Sequence, residues 1–215
     1  MATLSEMTAR VRFMSGAKAQ IDSQIENNIN EAMYQLSWEL RPPEAVTSAT
    51  ASLSDGTYSY TFSTAFSATD VYAPFMMRNV TDERLMHMGS LEEFETLLQV
   101  GDDATGEPTK WIRVGNGVYI YKSIPDDETR TVRLWYVKRL AEMTASTDTF
   151  PLNDEWIKPV EVLAAAMTLA DLNNYQGAQM KQAEYVSLVN TRQLPQQIED
   201  EAPEGSFVFV SNPVR

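Results

Sequence analysis

The sequence predicts an α+β protein: a bundle of long helices drawn from its two ends, an antiparallel β lobe inserted between them, and an extended C-terminal tail. Three observations carry this prediction. Apolar residues recur at steps of three or four over Ala17 to Leu40 and again from Pro159 to Gln193. Between these stretches, from about Val46 to Leu140, the period shortens to two and turn residues are frequent. Two amphipathic helices so far apart each leave an apolar face that another element must cover, and packing on each other covers both. The β segment is then an insertion. The expected units are residues 1–43 with 150–195 for the bundle, 46–144 for the lobe and 196–215 for the tail.

Each element has its own signal. Thr3 to Met14 places Leu4, Met7, Val11 and Met14 on one side and ends near Gly16. Ile21, Ile25, Ile29, Met33, Leu36 and Leu40 form the apolar face of the first long helix. Arg41-Pro42-Pro43 stops it, because proline lacks the amide donor and restricts the residue before it. Tyr58, Tyr60 and Phe62 alternate with Ser59 and Thr61 as in a half-buried strand, and Asp55-Gly56 reads as a hairpin turn before them. Ser90 can cap a short helix reaching about Val100, with Glu93 at the capping-box position. Gly115-Asn116-Gly117 joins residues 110–114 to 118–122 in a second hairpin, and Pro125-Asp126-Asp127 leads into a strand over Thr131–Val137.

Asn153 or Asp154 can cap the return to helix, with a first turn at 154–158 and the main helix starting at Pro159, where proline is tolerated. Val160, Leu163, Met167, Tyr175, Ala178, Tyr185 and Val189 supply its buried side, and Ala164-Ala165-Ala166 lets another helix approach closely. Continuous to Gln193, this helix would extend about 50 Å, longer than a compact domain of this size needs. Gly177 is the expected bend.

Composition narrows the functional classes. With 215 residues, 43% of them apolar, the chain can bury a real core. Its formal charge of -13, from 17 basic and 30 acidic residues, argues against a surface built to grip nucleic acid, which requires Lys and Arg to neutralise phosphates. There is no cysteine, hence no disulfide, thiolate nucleophile or zinc-thiolate site. The first residues lack the basic-then-apolar layout of a signal peptide, and no apolar run reaches the ~20 residues of a membrane span. The expectation is a soluble protein without a cleaved export signal.

Residues that chemistry favours are scarce. His87, between Met86 and Met88, is the single histidine and reads as structural or surface. The acidic pairs Glu92-Glu93, Asp102-Asp103 and Asp126-Asp127 have no EF-hand spacing and read as solvated caps and turns. No phosphate-binding glycine loop or nucleophile elbow occurs, so no catalytic residue, metal or cofactor is expected. Trp38, Trp111, Trp135 and Trp156 could stack on sugars, but burial where helices meet sheet explains them better. Arg10 and Arg12, with Lys18, make a local basic cluster that reads as a solvated helix face or as a docking contact for an acidic partner. The C-terminal run Phe207-Val208-Phe209-Val210 follows the acidic linker Glu199-Asp200-Glu201-Ala202-Pro203-Glu204-Gly205. Such a run is either a frayed end or a strand that pairs with the sheet edge of another subunit, ordering only against it.

Taken together, some of these segments resemble a known family. Thr105-Gly106-Glu107-Pro108-Thr109-Lys110-Trp111 leads into Val118-Tyr119-Ile120-Tyr121 and then Pro125-Asp126. The aromatic strand Val132-Arg133-Leu134-Trp135-Tyr136-Val137-Lys138-Arg139 follows, and Phe150-Pro151-Leu152-Asn153-Asp154-Glu155-Trp156 opens an Ala-rich helix. This order is similar to the head-to-tail adaptor (connector) proteins of tailed bacteriophages, over about Ala9 to Gln193, with Pro159 as a departure. The resemblance implies a non-enzymatic virion structural protein assembled in the host cytoplasm. It further implies a homo-oligomeric, dodecameric ring at the head-tail junction, joined to portal and tail proteins, through which double-stranded DNA passes without specific binding. The C-terminal extension would contact the portal, and no membrane is involved. The alternatives are another neck or tail-completion protein, or a carbohydrate-binding β module on a helical stalk with Tyr58, Tyr60, Tyr72, Tyr119 and Tyr121 lining a groove.

Overall fold

A computed structural model describes residues 1–54, 56–99, 106–121 and 129–192. The fold is α+β. Helix α1 (Leu4–Ser15) starts on a capping box: the Thr3 hydroxyl accepts from the Glu6 amide at 3.3 Å and the Glu6 carboxylate accepts from the Thr3 amide at 3.0 Å. It ends at Gly16, whose φ of 65° closes the helix in the left-handed region that glycine adopts without strain. After a short 3-10 turn, α2 (Asp22–Leu40) runs up to the two prolines and buries Ile25, Ile29, Met33 and Leu36, the expected face.

The second long helix is not continuous. It is a helical hairpin of α5 (Ile157–Asp171) and α6 (Tyr175–Arg192), counting the two short helices α3 (Phe62–Ala65) and α4 (Leu91–Gln99) of the insertion. The break falls at residues 172–174, where Asn173 adopts φ 58°, and not at Gly177. Gly177 lies in the first turn of α6, where its amide donates to the Asn174 side chain at 3.0 Å. A Cβ there would stand 2.9 Å from the Asn174 amide nitrogen, so this glycine makes room for the cap. Folding back solves the length problem: α6 covers α5, and Tyr185 and Val189 are buried as expected, whereas Tyr175, expected on that side, is exposed. Pro159 occupies the third position of α5, where an amide has no intrahelical acceptor. Helix α5 is buried almost all round, from Pro159 through Ala166 and at Thr168 and Leu169, because α1, α2 and α6 all pack on it.

The insertion forms one seven-stranded sheet of β1 (Val46–Leu53), β2 (Ser59–Thr61), β3 (Val71–Asn79), β4 (Arg84–Met88), β5 (Lys110–Val114), β6 (Gly117–Tyr121) and β7 (Arg130–Lys138), in the order β1-β7-β3-β4-β5-β6-β2. Its first and last strands pair with each other, Val46 opposite Val137 and Leu53 opposite Arg130. That pairing brings the exit of α2 and the return toward α5 to one end of the sheet, which is how helices so distant in sequence meet. Instead of the expected antiparallel lobe, the sheet is mixed, because β4 and β5 run parallel. The connection between them contains α4 and is long enough for a crossover.

The expected hairpin at Gly115–Asn116 is present, with Val114 opposite Gly117 and Gly115 at φ 55°. The one at Asp55–Gly56 is not. Asp55 lies outside the described residues, and the strands on either side of it belong to opposite edges of the sheet. A turn dipeptide cannot report which strands pair. Instead the sheet curls, and the Tyr60 hydroxyl, bonded to the Ser54 amide and carbonyl at 3.0 and 3.2 Å, links the segment after β1 to β2. Gly117 permits the tight β2–β6 approach, since a Cβ there would meet the Tyr60 carbonyl oxygen at 2.5 Å.

Two large apolar cores result, beside a small cluster of Phe94, Ile112 and Tyr121. One joins the helices to the sheet's end through Ala73, Val137, Leu140 and Met143. The other lies inside the curled sheet around Met77, Trp111, Ile120, Val132 and Leu134, all within residues 46–144. The second core supports the proposal that this stretch is a separately folded lobe. A fragment of residues 46–144 is therefore expected to unfold cooperatively in denaturant, although less stable than the whole chain, because its part of the first core is uncovered. A broad, non-cooperative transition would assign lobe and helices to one folding unit.

Candidate assembly surfaces

The basic cluster on α1 is engaged within the chain. The Arg10 guanidinium donates from Nη1 to Glu161 Oε1 at 2.9 Å; the Glu161 side chain is 4% exposed and that of Arg10 50%. Burial on the alanine-rich α5 pushes the Glu161 carboxyl above the usual carboxylate range, and the hydrogen bond and charge of Arg10, with a smaller contribution from Lys158, oppose that shift. Arg12 donates from Nε to Asp22 Oδ1 at 2.8 Å and pairs with the other carboxylate oxygen as well, fastening α1 to the first residue of α2. The two arginines thus hold the helices together, and what remains of the cluster for an outside partner is the solvent-facing half of Arg10 and the exposed Lys18.

A polar groove of about 830 Å³ opens between β1 and the segment after α3, lined by Ser48, Thr50, Thr69, Asp70, Arg133 and Tyr136. The Tyr136 hydroxyl donates to Asp70 Oδ1 at 3.0 Å; burial, then the bond to Asp70, pushes the phenol up to about 12, so it stays a donor throughout the physiological range. Along the groove β1 is an edge strand without charge or proline.

A second surface stands where α2 meets β3. Tyr34, Trp38 and Arg41 follow one another at steps of four and three along α2, a stripe beside its apolar face. The Arg41 guanidinium lies 4.3 Å from the centre of the Phe75 ring and 5.8 Å from that of Trp38, while the Tyr34 and Tyr72 rings are 5.9 Å apart. Trp38 is 46% exposed. Opposite β7, β3 slips register between Val71 and Ala73 and again between Pro74 and Met76, so Tyr72 and Phe75 are its two bulged residues. Bulges re-aim side chains, and here both extra residues are aromatic. Arg41 itself has φ 49°, a left-handed position that costs a non-glycine residue about 1–2 kcal/mol.

The remaining expected residues are scattered. His87 is exposed on β4, and no group of three metal-ligating side chains occurs among the described residues. Ser90 caps α4 as expected, accepting from the Glu93 amide at 3.2 Å, but the Glu93 carboxylate pairs with Lys110 instead of returning to the cap. Trp111 and Trp156 are buried as expected and Trp135 is half-buried, but Trp38 is not buried. Of the tyrosines proposed for a sugar groove, Tyr60 and Tyr121 are buried. Asp102-Asp103, Asp126-Asp127 and the tail residues Phe207, Val208, Phe209 and Val210 lie outside the described residues. The Trp38–Arg41 surface was missed, although its helical spacing was legible and Pro74, a proline within a strand, signals a bulge.

No described helix is long and apolar enough to cross a membrane. The family model for the SU10 adaptor protein matches residues 2–208 of the chain. None of the curated proteins matches it.

Proposed function

The chain belongs to the SU10 adaptor protein family, a family of phage head-to-tail adaptors, and from that premise we propose that it is a non-enzymatic virion protein that forms a ring between portal and tail. The observation that carries this reading is the extent of the family match, which takes in both helical parts, the β insertion and the chain as far as Val208. In the proposed assembly the helices surround the channel, the β lobe projects from it, and the Phe207–Val210 run docks on the portal. A net charge of -13 suits a channel through which DNA slides, because like charge keeps the duplex from adhering. The reading is tested by negative-stain imaging of the protein with and without portal rings. An added ring on the portal end is the expected result, and portal particles unchanged by excess protein would overturn it.

The same charge bears on assembly. Surfaces this acidic repel their copies until another ring holds them side by side, so the purified chain is expected to be a monomer or weak oligomer and to form rings only on the portal. Light scattering at micromolar concentration checks this; a stable ring in the absence of portal would contradict it.

A further inference from the structure

We infer that the Trp38–Arg41 surface is the docking site for this chain's own acidic segment, Glu199–Glu204, held in cis beside the end of α2. The surface has what such a segment needs. The faces of Trp38 and Phe75 flank the Arg41 guanidinium, and Arg41 makes no ion pair among the described residues. By contrast Arg10, Arg12, Arg84, Arg130 and Arg139 each face a carboxylate. A guanidinium stacked on aromatic rings keeps its in-plane N–H fork available for a carboxylate, bidentately. Trp38 and Tyr72, 46% and 39% exposed, supply apolar area on which Ile198, Ala202 or Pro203 can lie. The left-handed backbone at Arg41, which closes α2 by donating its amide to the Ser37 carbonyl at 3.1 Å, and the two bulges of β3 converge on this place.

Position and charge name the occupant. Helix α6 reaches the end of α2 through one side-chain bond: the Tyr185 hydroxyl donates to Glu39 Oε2 at 2.8 Å, and Glu39 adjoins Trp38 in sequence. From Tyr185 to the end of α6 at Arg192 the chain advances about 10 Å, and the residues from there to Glu199 can span about 23 Å when extended. The segment therefore reaches back to Arg41. It carries Glu199, Asp200, Glu201 and Glu204 and no basic residue. On a chain this acidic, an arginine set between two aromatic faces and without an ion pair among the described residues is a place where such a segment gains, and tethering gives it an effective concentration of roughly millimolar order. Docking there fixes where the apolar run Phe207–Val210 departs from the body. The inference does not depend on the portal reading.

The test is photo-crosslinking in the full-length chain, with p-benzoylphenylalanine in place of Tyr72 or, separately, of Trp38, on an equal mixture of ordinary and 15N-labelled protein. The expected product joins either position to a peptide containing Glu199–Glu204, with both halves of one isotope. Its yield is expected to fall at least about fivefold with Arg41→Gln, and equally with Glu199→Gln, Asp200→Asn and Glu201→Gln combined, which leaves the folded body untouched. Products of mixed isotope would place the segment of a second copy on the surface and overturn the cis assignment. Products outside residues 198–206, or a yield indifferent to both sets of substitutions, would overturn the site itself.

Discussion

Deleting Ser206–Arg215 is expected to abolish attachment to portal rings while leaving the melting temperature nearly unchanged. The stability half of this expectation rests on the described core: its helices and sheet lie within residues 1–192, and so do the apolar clusters described for it. The binding half rests on the Phe-Val-Phe-Val alternation. Extended against a sheet edge or groove, Phe207 and Phe209 would face one way and Val208 and Val210 the other, each contributing about 1.5–3 kcal/mol on burial, with main-chain pairing added. Ordering the segment costs about 1–2 kcal/mol per residue, so these side chains offset it only against a partner. A net loss of even 3 kcal/mol lowers affinity by more than about a hundredfold. Co-sedimentation with portal rings checks the binding and a thermal melt the fold. Undiminished attachment of the truncated chain would move the docking role to α1, where the exposed half of Arg10 is available but Arg12 is already bonded to Asp22.

The parts of this fold that were legible in the sequence are those set by local periodicity and capping. The Ile25–Leu36 stripe, the cap at Thr3, the stop at Gly16 and the Gly115–Asn116 hairpin each follow from a few neighbouring residues. What was not legible depends on partners distant in sequence. Asp55-Gly56 resembles a hairpin turn, yet the flanking strands go to opposite edges, because β1 pairs with β7 across the whole insertion and β2 pairs with β6. The end of α5 at Asp171 is likewise marked by no proline or glycine; it falls where the helix has exhausted the core that buries it, and Leu172, Asn173 and Asn174 make the turn. Trp38 was misread for a related reason. Large aromatics are buried on average, and only the neighbouring Arg41 and the bulged Phe75 show that this one is held at the surface.

Arg10→Ala is expected to be the most damaging single exposed-residue change, destabilising the protein by about 1–3 kcal/mol at neutral pH, because it leaves the buried Glu161 carboxylate without its hydrogen-bonded cation. Breaking a fully buried pair costs about 3–5 kcal/mol, and the figure here is lower because half of Arg10 faces solvent. The pH dependence follows from the direction of the Glu161 shift. Burial raises its folded-state value above that of the unfolded chain, so the ionised carboxylate disfavours the fold at neutral pH, and protonation relieves this as pH falls through the folded value. Removing Arg10 takes away the main opposing influence and raises the folded value further. The stability gap between Arg10→Ala and the parent chain should therefore be widest at neutral pH and narrow as pH falls through the raised folded-state value of the variant's Glu161. Glu161→Gln, which keeps the shape without the charge, should cost little alone and should remove most of the effect of Arg10→Ala in the double variant. Denaturant melts of the four chains across this pH range make the measurement. A gap that does not change with pH, or additive effects in the double variant, would show that Arg10 stabilises α1 through its packing and not through Glu161.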